Sequence, residues 1–245
     1  MVRSYKKILS SFRSSKMKWN KKFDYPASTR ALIKGHRHYT IGESKLPSVT
    51  TILGQTQSAE KQESLNRWRA RLGAREADRQ RDLAAMRGTS MHTYLEAYLD
   101  GSGHLDLTSV GKEASFMAKK VIESGLGDLG ELWGLEVTVY YPDLYAGATD
   151  VAGIYDGKES IVDFKQTNKP KRREWIEDYF LQLGAYAMAH NYVYGTKINQ
   201  GVILMCSKDG MFQKFTTDGQ EFVTFQHKFL ERLDKYHNTV AKMQQ

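Results

Sequence analysis

The sequence predicts an α/β fold, a mixed central β-sheet flanked by helices, with a helical elaboration on its N-terminal side. Two observations carry that prediction. Apolar residues recur at helical spacing over residues 61–124, and from residue 135 they alternate with period two. The predicted elements then run helix, three strands, helix, strand, strand, helix, an order that needs a sheet with helices packed on its faces. A chain of 245 residues is long enough for one large domain with a substantial core.

Residues 1–22 carry Arg3, Lys6, Lys7, Arg13, Lys16, Lys18, Lys21 and Lys22 and no acid. The remaining chain holds 28 basic and 28 acidic residues, so the formal charge of +8 is the charge of this N-terminal arm. A basic, acid-poor, serine-containing segment suits a phosphate-binding arm, a mitochondrial transit peptide or a disordered tail. Residues 23–245 read as a single domain, with 23–130 as N-terminal portion and helical cover and 131–245 as sheet core. Short extended runs and turns fill 23–60. They end in LPSVTTIL (46–53), whose β-branched residues favour a strand or a strand running into a helix. KQESLNRWRARLG (61–73) reads as a helix stopped by Gly73. A second helix runs from about residue 74 to 99, closed by DGSG, and a third spans 108–124 before GLGDLG. LEVTVYY, AGATDVAGIY and ESIVDFKQ read as strands, with turns at Pro142-Asp143 and Asp156-Gly157. A helix over about 173–192 follows. GVILMCS and MFQKFTT form a hairpin around Asp209-Gly210, and an amphipathic helix covers about 219–243.

Composition excludes several classes. No run of about 18 apolar residues exists, so nothing in the sequence spans a membrane as a helix. The single cysteine, Cys206, rules out an intramolecular disulfide framework and a cysteine-rich zinc site, and points to a reducing compartment.

The chemistry concentrates in GATDVAGIYDGKESIVDFK (147–165). With Asp156-Gly157 as a type I′ turn, pairing runs from Tyr155–Lys158 through Val151–Val162 and then to Asp150–Asp163. Opposed residues hold their Cβ atoms roughly 4.5–5.5 Å apart, and opposed like charges repel. A cation between two hard carboxylates turns that repulsion into a site suited to Mg²⁺ or Mn²⁺. Lys165 points to the same side of its strand as Asp163. Elsewhere, His92 and Glu96 share a helix face at i, i+4. Gln182 lies in an aromatic stripe with Trp175, Tyr179, Leu183 and Tyr186 and needs a hydrogen-bond partner if buried. Glu136, between Leu135 and Val137, faces away from the apolar side of its strand and reads as solvent-exposed or as a second metal or water ligand.

Together these residues resemble the PD-(D/E)XK nuclease superfamily, in its RecB-like exonuclease branch. That branch orders G-T-x-x-H, G-x-x-D, D-x-K and Q-x-x-x-Y. The matching positions are Gly88-Thr89 with His92, Gly147 with Asp150, Asp163 with Lys165, and Gln182 with Tyr186. The wording of LPSVTTIL, NRWR and RGTSMH looks closest to the organellar and tailed-phage exonucleases of the branch, and the resemblance covers about residues 40–190. The proline of the superfamily's name is absent, with Thr149 before Asp150.

The resemblance implies a restriction-endonuclease-like core and a metal-dependent DNA exonuclease. His92, Asp150, Asp163 and the carbonyl of Phe164 would hold Mg²⁺ or Mn²⁺, Lys165 would orient the attacking water, and Gln182 and Tyr186 would orient Lys165 and the scissile strand. Basic residues beside aromatics suit a single strand: Arg67, Trp68, Arg69 and Arg71 on the first long helix, and Lys169, Lys171, Arg172, Arg173 and Trp175 after the DFK strand. Helices over the carboxylates would admit single-stranded ends rather than duplex. The expected partners are DNA and replication or recombination proteins, in the cytoplasm (the host's for a phage protein) or the mitochondrial matrix. The competing reading is a catalytically silent DNA-binding or recombination partner on the same fold.

Overall fold

The structure, a computed structural model, describes residues 17–242, with side chains to residue 239. The first sixteen residues of the basic arm lie outside the described residues.

Nine strands and six helices are described. The strands are β1 (Lys18–Trp19), β2 (Thr29–Ile33), β3 (His36–Ile41), β4 (Ser44–Pro47), β5 (Leu129–Tyr141), β6 (Tyr145–Tyr155), β7 (Lys158–Thr167), β8 (Gln200–Ser207) and β9 (Phe212–Asp218). The helices are α1 (Val49–Gln55), α2 (Ala59–Leu72), α3 (Ala74–Asp100), α4 (Ser109–Gly125), α5 (Glu177–Tyr194) and α6 (Gly219–Lys242). Ser48, Ser58 and Thr108 start α1, α2 and α4 by accepting a backbone N–H from the first turn with their hydroxyls. Gly73, at φ +81°, separates α2 from α3.

A six-stranded mixed sheet runs in the order β1-β5-β6-β7-β8-β9. The β6–β7 hairpin turns at Asp156-Gly157, both at positive φ, with the register expected from sequence from Tyr155–Lys158 to Val151–Val162. α5 carries the chain from β7 to a parallel β8. Alternation along the central strands builds two cores. Val162, Phe164, Val202 and Leu204 face α3 and α4, where they join Met91, Leu95 and Met117. Ile161, Ile203 and Met205 face α5 and α6, among Phe180, Leu183, Phe222 and Phe229. Helix α5 is buried nearly all round, lying between the sheet and α6. No helix among the described residues is long and apolar enough to cross a membrane.

Two expectations are corrected and one is made specific. Residues 17–22 of the basic arm belong to the fold: β1 pairs in parallel with β5, and Lys22 Nζ lies 3.8 Å from the centre of the Trp133 ring. The short extended runs expected over 23–60 include β2, β3 and β4, which form a separate antiparallel sheet. β5 begins at Leu129 rather than 135; irregular register at Leu129/Glu131 and Leu132/Gly134 hides its alternation from a period-two reading.

Candidate active site

The ladder between β6 and β7 ends at Val151–Val162, one pair short of Asp150–Asp163. The expected face-to-face carboxylates are therefore not formed as a strand pair. Instead, Asp150 Oδ2 accepts a hydrogen bond from the backbone N–H of Phe164 at 2.6 Å. This contact holds Asp150 against the strand that carries Asp163 and Lys165, in place of a rung.

Three elements converge on Asp150. His92, in the middle of α3, brings Nδ1 to 3.3 Å from Asp150 Oδ1 and 3.7 Å from Glu136 Oε1. Its Nε2 donates to the Phe164 carbonyl at 3.0 Å, which fixes the ring and leaves Nδ1 facing the carboxylates. Glu96, one turn along α3, forms no ion pair with His92 among the described residues, though it feels the charges of His92, Glu136 and Asp150. Glu136 is half-buried rather than solvent-exposed and has a φ of +50° within β5. The flanking pairs Leu135–Val151 and Val137–Thr149 set it across from Asp150. Register counted back from the Pro142-Asp143 turn was the signal that would have found this. The Phe164 carbonyl, expected as a metal ligand, is engaged by His92.

The electrostatics follow from this crowding. Burial works against the His92 cation, but Asp150 and Glu136 outweigh it and push its pKa up to about 11. Burial, with Asp150 adding to it, holds the Glu136 carboxyl above its ordinary range against the pull of His92. Lys165 forms an ion pair with Asp163 Oδ2. Burial opposes its charge, yet Asp163 and Asp150 raise its pKa, so the ammonium persists. Lys165 Nζ also lies 5.0 Å from the centre of the Tyr179 ring.

The donor set fits a divalent cation. His92, Glu136 and Asp150 each offer a ligand atom, all within 4.8 Å of one another. Asp163 Oδ2 is buried and accepts no hydrogen bond of normal geometry, only the Lys165 ion pair. Two hard carboxylate oxygens and one imidazole nitrogen make a donor set for a divalent cation.

Around this centre, Gln182 Nε2 donates to Tyr186 Oη at 2.9 Å. The pair answers the partner question raised by a glutamine in an aromatic stripe. A Cβ on Gly147 would meet Tyr186 Cε1 at 2.4 Å, so the G-x-x-D glycine is the space into which Tyr186 packs. Sequence reasoning gave no role to Arg87, next to Gly88-Thr89. Its guanidinium is 4% exposed, donates to Gln166 Oε1 at 2.9 Å, and bonds to Asn168 Oδ1. Gln166 in turn donates to the Ala84 carbonyl at 2.9 Å. The residue after Lys165 thus bolts α3, and with it His92, onto β7.

The expected DNA-contacting residues separate into groups. Arg67 pairs with Glu63 and Arg69 with Asp78, so the arginine-rich helices neutralise much of their own charge, while Trp68 is half-buried. Arg71 remains exposed with no ion pair among the described residues. Arg173 is held by Glu221 and the Thr216 carbonyl. Arg172 lies over Trp175, which is 60% exposed. The Lys171 backbone is clasped by Gln213, and Lys169 is exposed. α2 buries no side chain, and α3 before Arg87 buries only Ala77. The pair, termed the arch, meets the rest of the molecule at two places. One foot is the Lys61–Asp178 ion pair, beside Tyr179; the other is Gln166, beside Lys165.

No protein-family model matches the chain. Mitochondrial genome maintenance exonuclease 1 of Xenopus tropicalis is 28% identical over 225 residues, covering 87% of this chain and 62% of that protein. The human protein of the same name is 29% identical over 205 residues, covering 78% and 58%. The chain thus spans about three fifths of the length of these curated relatives. A crystal structure of a Eubacterium rectale protein described as an exonuclease aligns with a TM-score of 0.47 at 15% identity, over 64% of this chain and 68% of that one. The likeness to exonucleases read from the motifs has its counterpart in relatives that bear that name.

Proposed function

We propose that the chain is a metal-dependent DNA exonuclease that hydrolyses phosphodiester bonds from single-stranded ends. The carrying observation is the cluster of His92, Glu136 and Asp150 ligand atoms beside the Asp163–Lys165 pair. His92 Nδ1, Glu136, Asp150 and Asp163 would hold Mg²⁺ or Mn²⁺. When bound, such an ion polarises a phosphoryl oxygen and lowers the pKa of a coordinated water. Lys165, kept protonated by its carboxylates, sets a positive charge where the phosphorane gains negative charge, and Tyr179 limits where its ammonium can go. Tyr186, oriented by Gln182, closes the wall behind Gly147. The name shared by the curated relatives supports DNA as the substrate.

Preference for ends is argued from the arch. Its feet flank Lys165, and a duplex about 20 Å across is a poor fit beneath two helices, whereas one strand is not. End-labelled linear single-stranded DNA should be degraded with Mg²⁺ or Mn²⁺ and not with EDTA. Lys165→Ala should lose at least about a hundred-fold in rate with affinity nearly kept. A covalently closed single-stranded circle should survive; its rapid cutting would overturn the threading, and cutting that persists in EDTA would overturn the metal.

A further inference from the structure

The small sheet of β2, β3 and β4 has no part in the chemistry just described. Its register sets Arg30 and Leu46 on either side of Tyr39, and Leu32 opposite Arg37. Side chains alternate along a strand, so Arg30, Leu32, Arg37, Tyr39 and Leu46 share one face. The inner end of that face is buried: Tyr39 and Leu46 pack on Ala146, next to Gly147. The Tyr39 hydroxyl engages the Ala148 backbone and feels the charges of Arg30, Arg37 and Glu136. The face therefore begins at the edge of the active site.

Its outer end is open. β2 is the edge strand and all five of its residues are exposed. The Arg30 guanidinium lies 6.0 Å from the centre of the Tyr39 ring, and Leu32 is 74% exposed. Among the described residues neither Arg30 nor Arg37 has a carboxylate within ion-pair distance. Arg67, Arg69, Arg79 and Arg81 on the arch all do. Two unpaired guanidiniums on one face, leading to a cluster of carboxylates, are matched in charge and geometry to phosphates.

We propose that this face is a binding site for the backbone of the single strand being cut, with Arg30 and Arg37 on successive phosphates and Leu32 against a base. The inference rests on the nuclease reading of the adjacent site. It adds to the arch, where four of the arginines are self-paired, a β-sheet ledge on the approach to Glu136 and Asp150.

The test compares the full-length double variant Arg30→Gln, Arg37→Gln with Lys45→Gln. Lys45 pairs with Thr40 and so lies on the opposite face of the same sheet. Binding of a fluorescein-labelled single-stranded oligonucleotide is followed by anisotropy across a KCl series, in a Lys165→Ala background that does not cut. The slope of log affinity against log salt should shrink by about 1.4 in the double variant, two phosphates' worth for a single strand, and stay put in Lys45→Gln. In the cleaving enzyme the double variant should raise KM about ten-fold, with kcat within about two-fold. An unchanged slope and KM would overturn the ledge while leaving the nuclease standing, and so would an equal fall in Lys45→Gln. A wild-type protein that cuts no DNA with either metal would bring down the functional reading itself.

Discussion

Glu136 holds a φ of +50° inside a strand and faces another carboxylate across the ladder. The left-handed conformation costs a non-glycine residue about 1–2 kcal/mol. The side chain it carries is half-buried and turned to His92 rather than into either apolar core. Glu136→Gly should therefore raise the stability of the metal-free protein by about 1 kcal/mol, read as a higher Tm, while weakening Mn²⁺ binding in calorimetry. Glu136→Gln, with the same backbone strain, should lose metal without the full gain. A Glu136→Gly protein of lower Tm would refute the strain account. The contrast with Asp163 and Lys165 shows what the sequence reveals at this scale. D-x-K lies within one strand, where alternation fixes direction, so it was legible. Glu136 meets Asp150 only through the β5–β6 register, and its own φ removes it from the alternation that sequence reading relies on. Arg87 was legible as a residue but not as a bolt, because its partners Gln166 and Asn168 are about 80 positions away.

At the scale of elements, the C-terminal turn of α5 joins the N-terminal segment to the sheet. His190 is fully buried among Phe23, Tyr25, Trp133 and Tyr194. Thr196 donates its hydroxyl to Asn191 Oδ1, so it accepts from His190 Nδ1 at 2.8 Å, and Tyr25 Oη donates to Nε2 at 2.9 Å. The neutral ring satisfies both contacts. Burial, with Lys22 nearby, accordingly holds the His190 pKa down to about 4. A depressed folded-state pKa means that the stability is present above the ordinary histidine value of about 6.5 and is lost as pH falls from there to about 4. The full loss is on the order of 3 kcal/mol. Wild-type Tm should fall between pH 6.5 and 4, and His190→Gln should flatten that fall; equal slopes in both proteins would exclude His190 as the cause. Long periodic elements such as α3, α4 and α6 were readable to within one or two residues. β1 was not, and β2 and β3 were readable only as short extended runs, because strands of two to six residues that are mostly exposed carry no clear apolar alternation. LPSVTTIL, read as a strand or a strand running into a helix, spans the end of β4 and most of α1.

The whole molecule is a sheet with a core on each face, and its edge is completed from the far end of the sequence. Trp19 and Lys18 extend the sheet beside β5, Asn20 donates its backbone N–H to the Leu132 carbonyl at 2.8 Å, and Lys22 covers Trp133. Truncation should therefore show a sharp boundary. Removing residues 17–22 in addition to 1–16 should lower Tm by several degrees below that of the 1–16 deletion. Equal Tm for the two truncations would show that β1 contributes nothing.

The arch has a different relation to the body. It is fastened to the body by the Lys61–Asp178 ion pair and by the Gln166 hydrogen bond to Ala84, and within itself by Arg69–Asp78, rather than by an apolar core of its own. Exposed ion pairs contribute a few tenths of a kcal/mol to about 1 kcal/mol each and fade with ionic strength. For the proposed nuclease, salt would then act twice, screening the phosphates of the strand and loosening the Lys61–Asp178 pair that holds the arch down. Amide exchange over residues 62–83 would follow the second effect without any nucleic acid present. Ionic strength thereby becomes a control on how firmly the two helices are held to the body, exerted before any ligand arrives.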